Sequence, residues 1–261
     1  LKIDDMGKLL LLDIDGTLLN TKKELPASAA EALQKARANG HELAIATGRA
    51  PFMIKELRKE LDIDTYITFN GQYIVHEDKV IHTEALDPDL LEKVMLFAEE
   101  RDHPMVFMNG EKMISSIDYH PDIDESLTSL KFPHPETEID FHRDNEIYQS
   151  LVFCTKQEEQ QYHENFKEFD FVRWHRVSCD ILPSGGSKAA GIEKLIAKTG
   201  HAIEDTIAFG DGLNDLQMMQ VAGFSVALEN GHPETKKVAS YVTSHVDEDG
   251  LAKAFKHLGL I

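Results

Sequence analysis

The chain has 261 residues, 42% of them hydrophobic, and 27 Lys and Arg against 46 Asp and Glu give it a formal net charge of −19. That length can bury a full core and exceeds the usual single α/β domain by about the size of a small second one. The acidic balance, with no basic stripe to offset it, argues against nucleic acid as a partner, because a phosphate backbone would be repelled over most of the surface.

In chain order, Leu1-Lys2-Ile3-Asp4-Asp5-Met6 lacks the apolar run of a signal peptide, and no stretch of about 18 apolar residues follows anywhere. The expectation is a soluble, cytoplasmic protein with no membrane partner. Lys8–Leu12 predicts a strand, which runs into Asp13-Ile14-Asp15-Gly16-Thr17-Leu18. Side chains two apart on an extended segment point the same way, so Asp13 and Asp15 can face one reacting group while Gly16 lets the chain turn beside it. Leu18–Leu25 reads as a short β flap, and Ala27–Asn39, after Pro26, as a helix ended by Gly40. Strand Glu42–Ala46 leads into Thr47-Gly48-Arg49, a hydroxyl and a glycine amide suited to hydrogen-bonding phosphate oxygens. Arg49 has three readings: a phosphate contact, a substrate contact or a helix-end partner. Helix Pro51–Leu61 and strand Tyr66–Phe69 precede Asn70-Gly71, a turn pair that structure explains as well as substrate contact does. A hairpin of Tyr73–His76 with Lys79–His82 follows.

The pattern changes around Glu84–Pro88. Helix Asp89–Arg101, strand-like Pro104–Asn109 and Glu111–Ser115, a poorly patterned stretch over Asp118–Arg143, then Ile147–Thr155, Gln157–Phe169 and Phe171–Ile181 make a separate α+β unit. Within it, Arg173-Trp174-His175-Arg176 alternates aromatic and charged residues as a strand with one buried and one wet face does. Cys154 and Cys179 have neither a metal-ligand spacing nor the numbers for a disulfide framework, and read as buried small hydrophobes. Gly185-Gly186-Ser187-Lys188 then opens a helix over Ala189–Lys198, placing an ammonium and helix N-terminal amides where an anion could sit. Strand Thr206–Gly210 ends in a second acidic cluster, Gly210-Asp211-Gly212-Leu213-Asn214-Asp215. Helix Asp215–Val221, strand Phe224–Ala227, helix Pro233–Ala239, strand Tyr241–Val242 and helix Gly250–His257 complete the chain. Two acidic clusters at strand C-terminal ends would share one crevice of an open parallel sheet.

The four pieces, Asp-x-Asp-Gly-Thr, Thr-Gly-Arg, Lys188 and Gly-Asp-Gly-x-Asn-Asp, resemble in that order the motif set of the haloacid dehalogenase superfamily. More narrowly the chain is similar to the Cof-type phosphatases, since the stretch between Thr47 and Lys188 leaves room for a large inserted cap. The resemblance implies an α/β core with a doubly wound, mostly parallel sheet, residues 1–83 and 183–261, and an α+β cap of the C2 type, residues 84–182, that selects substrate. It also implies that Asp13 and Asp211 give carboxylate metal ligands, Asp15 a backbone carbonyl, and that Asp215 acts from behind them.

Charge arithmetic requires the metal. A phosphomonoester carries close to two negative charges at neutral pH, and no partly desolvated pocket tolerates it beside Asp13, Asp211 and Asp215 without a divalent cation. Oxygen ligands with no imidazole or thiolate cluster favour magnesium, and the thirteen histidines show no metal-binding spacing. Asp13 would then attack phosphorus and form an aspartyl-phosphate. Asp15 would protonate the leaving alcohol and later accept a proton from the hydrolytic water; His175 is the first alternative acid/base to test. Lys188, Thr47, the amides of Ile14 and Gly48, and Asn214 would clamp phosphate oxygens. The expected activity is a Mg²⁺-dependent phosphatase of small phosphorylated metabolites: sugar phosphates, nucleotides or phosphorylated cofactors. A phosphosugar mutase shares the nucleophile and acid, and a noncatalytic binding protein shares the fold. Nucleotide-dependent enzymes are disfavoured, because neither Gly-x-x-x-x-Gly-Lys-[Ser/Thr] nor Gly-x-Gly-x-x-Gly occurs. Neither the leaving group nor the oligomeric state is legible.

Overall fold

A computed structural model describes residues 7–261, so the reading of Leu1–Met6 lies outside the described residues. The chain divides into two compact units, one holding the residues up to Arg49 together with Met53–His82 and Ser187–Ile261, the other Ala50–Phe52 and Thr83–Gly186.

The first unit begins with β1 (Leu9–Leu12), α1 (Ala27–Ala38), β2 (Glu42–Ala46), α2 (Lys55–Glu60), β3 (Tyr66–Thr68), β4 (Tyr73–His76) and β5 (Lys79–Thr83). The expected flap at Leu18–Leu25 is not a strand pair. Its ladder is a single bridge, Asp15 to Leu19, because the Asn20 side chain accepts from Lys22 N at 2.9 Å and Glu24 N at 3.0 Å and closes a local loop instead. The helix expected over Pro51–Leu61 divides at Ile54, a 3₁₀ turn over Pro51–Ile54 passing into α2. Glu77 and Asp78, at φ 48° and 58°, form the two-residue turn between β4 and β5.

The second unit holds α3 (Pro88–Glu99), β6 (Met105–Met108), β7 (Met113–Ser115), α4 (Pro121–Ser129), α5 (Phe141–Asp144), β8 (Gln149–Phe153), α6 (Lys156–Asn165), β9 (Phe169–His175) and β10 (Ser178–Pro183). Its five strands form a sheet in the order β7-β6-β8-β10-β9, and the paired strands run antiparallel. Leu91 and Val94 of α3 and Tyr162 of α6 pack with Phe107, Val152, Phe171, Cys179 and Ile181 in one apolar cluster. Both cysteines are buried and unpaired there. Two readings are corrected. The poorly patterned stretch contains α4, with Pro121 in its first turn, acidic Asp122 and Asp124 behind it, and His120 as an uncommon side-chain cap. Phe171–Ile181 is not one strand but a hairpin, turning at Arg176 and Val177.

The first unit resumes with α7 (Lys188–Thr199), β11 (Thr206–Gly210), α8 (Leu216–Val221), β12 (Phe224–Ala227), α9 (Pro233–Val238), β13 (Tyr241–Val242) and α10 (Gly250–Leu258). Its eight-stranded sheet has the order β13-β12-β11-β1-β2-β3-β4-β5, parallel from β13 to β3. The four leucines of β1 serve both faces. Leu10 and Leu12 meet Ala32 and Leu33 of α1 and Phe255 of α10, whereas Leu9 and Leu11 meet Ile192 and Leu195 of α7 and Met218 of α8. Chain order reverses at β1, with β2 on one side and β11 on the other, and this opens a crevice at their carboxyl ends. Among the described residues no helix is long and apolar enough to cross a membrane.

Candidate active site

Four strand or helix ends of the first unit meet at that crevice. Asp13 leaves β1 with its amide donating to Phe209 O at 3.0 Å, which carries the β1–β11 ladder one residue further. Gly16 follows at φ 84°, and a Cβ there would lie 2.3 Å from Asp211 Oδ2, so only glycine lets the two acidic loops approach. Thr17 Oγ1 donates to Asp211 Oδ1 at 3.1 Å. At the end of β2, buried Thr47 accepts from Arg49 N at 3.1 Å. Lys188 is the first residue of α7, whose cap Ser187 accepts from Ala190 N.

The Lys188 side chain is fully buried and its Nζ donates to Asp13 Oδ1 at 2.5 Å and to Asp215 Oδ1 at 2.6 Å. Burial works against its charge, but the two carboxylates outweigh burial and hold it protonated. The other Asp215 oxygen accepts from the amides of Asp211 and Gly212 at 2.9 and 2.8 Å. Asp215 therefore spends both oxygens on shaping its own loop and seating Lys188. Burial first, then the neighbouring Asp215 charge, push Asp13 well above the usual carboxylate range, with Lys188 opposing. The same two causes raise Asp211 to about 6.

One oxygen from each of Asp13, Asp211 and Asp215 lies within 4.8 Å of the others, a group that could hold a metal ion. Its chemistry fits a hard cation: the donors are all oxygen, and crowded carboxylates with raised affinity for protons are what a divalent charge relieves.

Asp15 has a different environment. Arg49 reaches it with two hydrogen bonds of 2.7 Å, Nε to Oδ2 and a terminal nitrogen to Oδ1, and Lys23 Nζ adds a third at 2.5 Å. Burial raises the Asp15 carboxyl, yet these two cations win and hold it below its ordinary value. Asp15 is thus the partner that holds the Arg49 guanidinium, one not among the three readings made from the sequence. Lys23 was not singled out at all, since a lysine in a polar loop eight residues after Asp15 carries no signal.

Asn230 was also missed. Its Nδ2 donates to Gly16 O at 2.9 Å and Asp211 Oδ2 at 3.2 Å, and its Oδ1 accepts from Val246 N at 2.9 Å. The pair Asn230-Gly231 after β12 reads as an ordinary turn, which hides this. Asn70 and Gly71, between β3 and β4, lie in the same unit, with Asn214 Nδ2 donating to Asn70 Oδ1 at 3.3 Å. His175 lies in the second unit, 3.8 Å from Glu125 Oε1. Arg173 beside it turns inward to Glu159 at 2.6 Å and to the carbonyls of Cys154, His175 and Arg176, so the motif does not divide into one buried and one wet face.

A phosphoryl-transfer site at the switch point of a doubly wound sheet, with a second α+β unit inserted in the chain, defines the class. The family model described as haloacid dehalogenase-like hydrolase matches residues 10–255, and the chain belongs to that family, among its Cof-type phosphatases. It is accordingly a hydrolase of phosphoric monoesters. YkrA of Bacillus subtilis (strain 168) is 45% identical over 255 residues, 98% of this chain and 99% of that one. A crystal structure of a protein from Geobacillus kaustophilus HTA426 superposes with a TM-score of 0.92 at 47% identity, covering 98% of this chain and 100% of the other. The subclass IIB sugar phosphatase BT4131 is similar at 32% identity and a TM-score of 0.87, over 97% of this chain and all of that one, 100%.

Proposed function

We propose that the protein is a Mg²⁺-dependent phosphatase of small phosphorylated metabolites, with Asp13 as nucleophile and Asp15 as general acid and base. The observation that carries this reading is the pair of contrasting carboxyls two residues apart. Asp13 is paired with buried Lys188, and Asp15 is gripped by Arg49 and Lys23.

Asp13, Asp211 and the Asp15 carbonyl would hold a magnesium ion, whose positive charge would offset the negative charge of the phosphate dianion and the acidic cluster. Lys188 opposes the burial that favours a proton on Asp13 and orients its carboxylate for attack on phosphorus, and the ester oxygen leaves with a proton from Asp15. Water then attacks the phosphorylated Asp13 while the Asp15 carboxylate takes its proton. The gripped, ionised Asp15 matches this second step; for the first, it must be carrying a proton when the alcohol departs. Thr47, the amides of Ile14 and Gly48, Lys188 and Asn214 hold the phosphate oxygens, and Asp215 positions Lys188 and the Asp211 loop.

The sugar phosphatase among the similar structures supports sugar phosphates within the wider class of sugar phosphates, nucleotides and cofactors. Residues 84–182 then select the leaving group, as the inserted cap, and the remainder does the chemistry. The two unpaired, buried cysteines fit a reducing, cytoplasmic setting. The test is a panel of phosphate esters incubated with and without magnesium. Metal-dependent release of free phosphate supports the reading, whereas an isomerised ester means a mutase and silence across the panel means a binding protein.

A further inference from the structure

The turn between β3 and β4 is strained and touches three parts of the phosphate site. Phe69, Asn70 and Gly71 have φ values of 51°, 51° and 105°, three successive residues in the left-handed region. A buried phenylalanine adopts that conformation only where its surroundings compel it. Here the surroundings are the loops of the site. Phe69 N donates to Arg49 O and Asn70 N to Thr47 O, both at 3.1 Å. The Asn70 side chain lies over Gly48, where a Cβ would come 2.9 Å from its Nδ2 and 3.0 Å from its Oδ1. Asn214 Nδ2 donates to Asn70 Oδ1 at 3.3 Å. On the other side, Gly71 meets the first turn of α7, where a Cβ would lie 2.3 Å from Ser187 O and 3.2 Å from Gly191 N. One three-residue turn therefore spaces Thr47-Gly48, the start of the Lys188 helix and Asn214.

We infer that Asn70 is a positioning residue, aiming the Asn214 amide without itself touching phosphate. An amide nitrogen has two N–H groups, and with one held by Asn70 the other points in a single direction. Asparagine suits the place for two reasons. It tolerates left-handed backbone better than other side chains, and it offers a neutral acceptor where a carboxylate would repel the substrate anion. The inference rests on the proposed role of Asn214 at the phosphate.

The test is a double-mutant cycle on 4-nitrophenyl phosphate hydrolysis, with Asn70→Gly, Asn214→Ala and the pair, and melting temperatures as a control. Glycine keeps the backbone conformation and removes only the side chain. Asn70→Gly should lower kcat ~10 to 10²-fold with little change in KM. The double variant should be within about twofold of Asn214→Ala alone, because one variant abolishes what the other acts through. Asn70→Asp is the second variant: it keeps the acceptor and the left-handed fit, so it should retain kcat and raise KM through charge repulsion. Multiplicative losses in the double variant, an unchanged kcat in Asn70→Gly, or an Asn70→Asp kcat as low as that of Asn70→Gly would overturn the inference while leaving Asn214 at the phosphate. Wild-type turnover by Asn214→Ala would remove Asn214 from the site, and the inference with it.

Discussion

Arg49 grips Asp15 through two hydrogen bonds of 2.7 Å, and this pairing keeps ionised the group proposed to protonate the leaving alcohol. Lys23 adds a third contact to the same carboxylate. The arrangement favours the base form, so the acid step is the one most exposed to perturbation.

That asymmetry predicts the behaviour of Asp15→Asn. Loss of a general acid typically costs ~10² to 10⁴-fold, but an activated aryl oxide needs little protonation to depart. The variant should slow alkyl phosphates far more than aryl phosphates. With an aryl ester it should also accumulate phosphorylated Asp13, visible as a burst, because the base of the second step is missing. Equal slowing of both esters with no burst would assign Asp15 to holding the loop instead.

Asp13→Asn should abolish turnover without unfolding the protein. The substitution removes one of three crowded carboxylates, and Lys188 retains Asp215 at 2.6 Å as counter-charge. Phosphate release and a thermal melt on the same purified sample decide it, and release near the wild-type rate would exclude Asp13 as nucleophile.

Lys188→Met should do the opposite to stability. It leaves Asp13 and Asp215 buried without the ammonium between them, and uncoupling a buried ion pair in this way costs about 3–5 kcal/mol. Chemical denaturation of the cation-free protein should show a loss of that order. A variant as stable as the wild type would mean that the carboxyls have taken up protons, which a steeper fall of stability with rising pH would reveal.

Magnesium should stabilise the protein more as pH rises. The folded Asp211 carboxyl titrates at about 6 against an ordinary 3.8, so between those values the folded state binds more protons than the unfolded one. Stability of the cation-free protein therefore falls as pH rises through that window. Asp13, also raised, acts in the same direction. A divalent cation offsets the repulsion and competes with the protons, so the rise in melting temperature on adding magnesium should be small near pH 5 and large near pH 7.5. A rise independent of pH would place the ion away from Asp211.

The amino-acid sequence by itself determined the α/β alternation and the four motif ends, because both are local. Apolar runs such as Leu9–Leu12 mark strands buried on both faces, and the short-range spacing of Asp13, Asp15 and Gly16 or of Asp211, Asn214 and Asp215 is written in consecutive residues. Only the tertiary structure decided which side chains pair. Arg49 is 34 positions from Asp15, Asn230 is 19 from Asp211, and Asn70 is 144 from Asn214; each meets its partner because loops from different strands converge at one crevice. α4 escaped notice because its cap is a histidine, and the β9–β10 turn because Arg176 and Val177 carry no turn chemistry. A side chain's reach is local, but its partner is set by backbone positions that depend on the packing of the whole sheet, and no pattern of neighbouring residues encodes that.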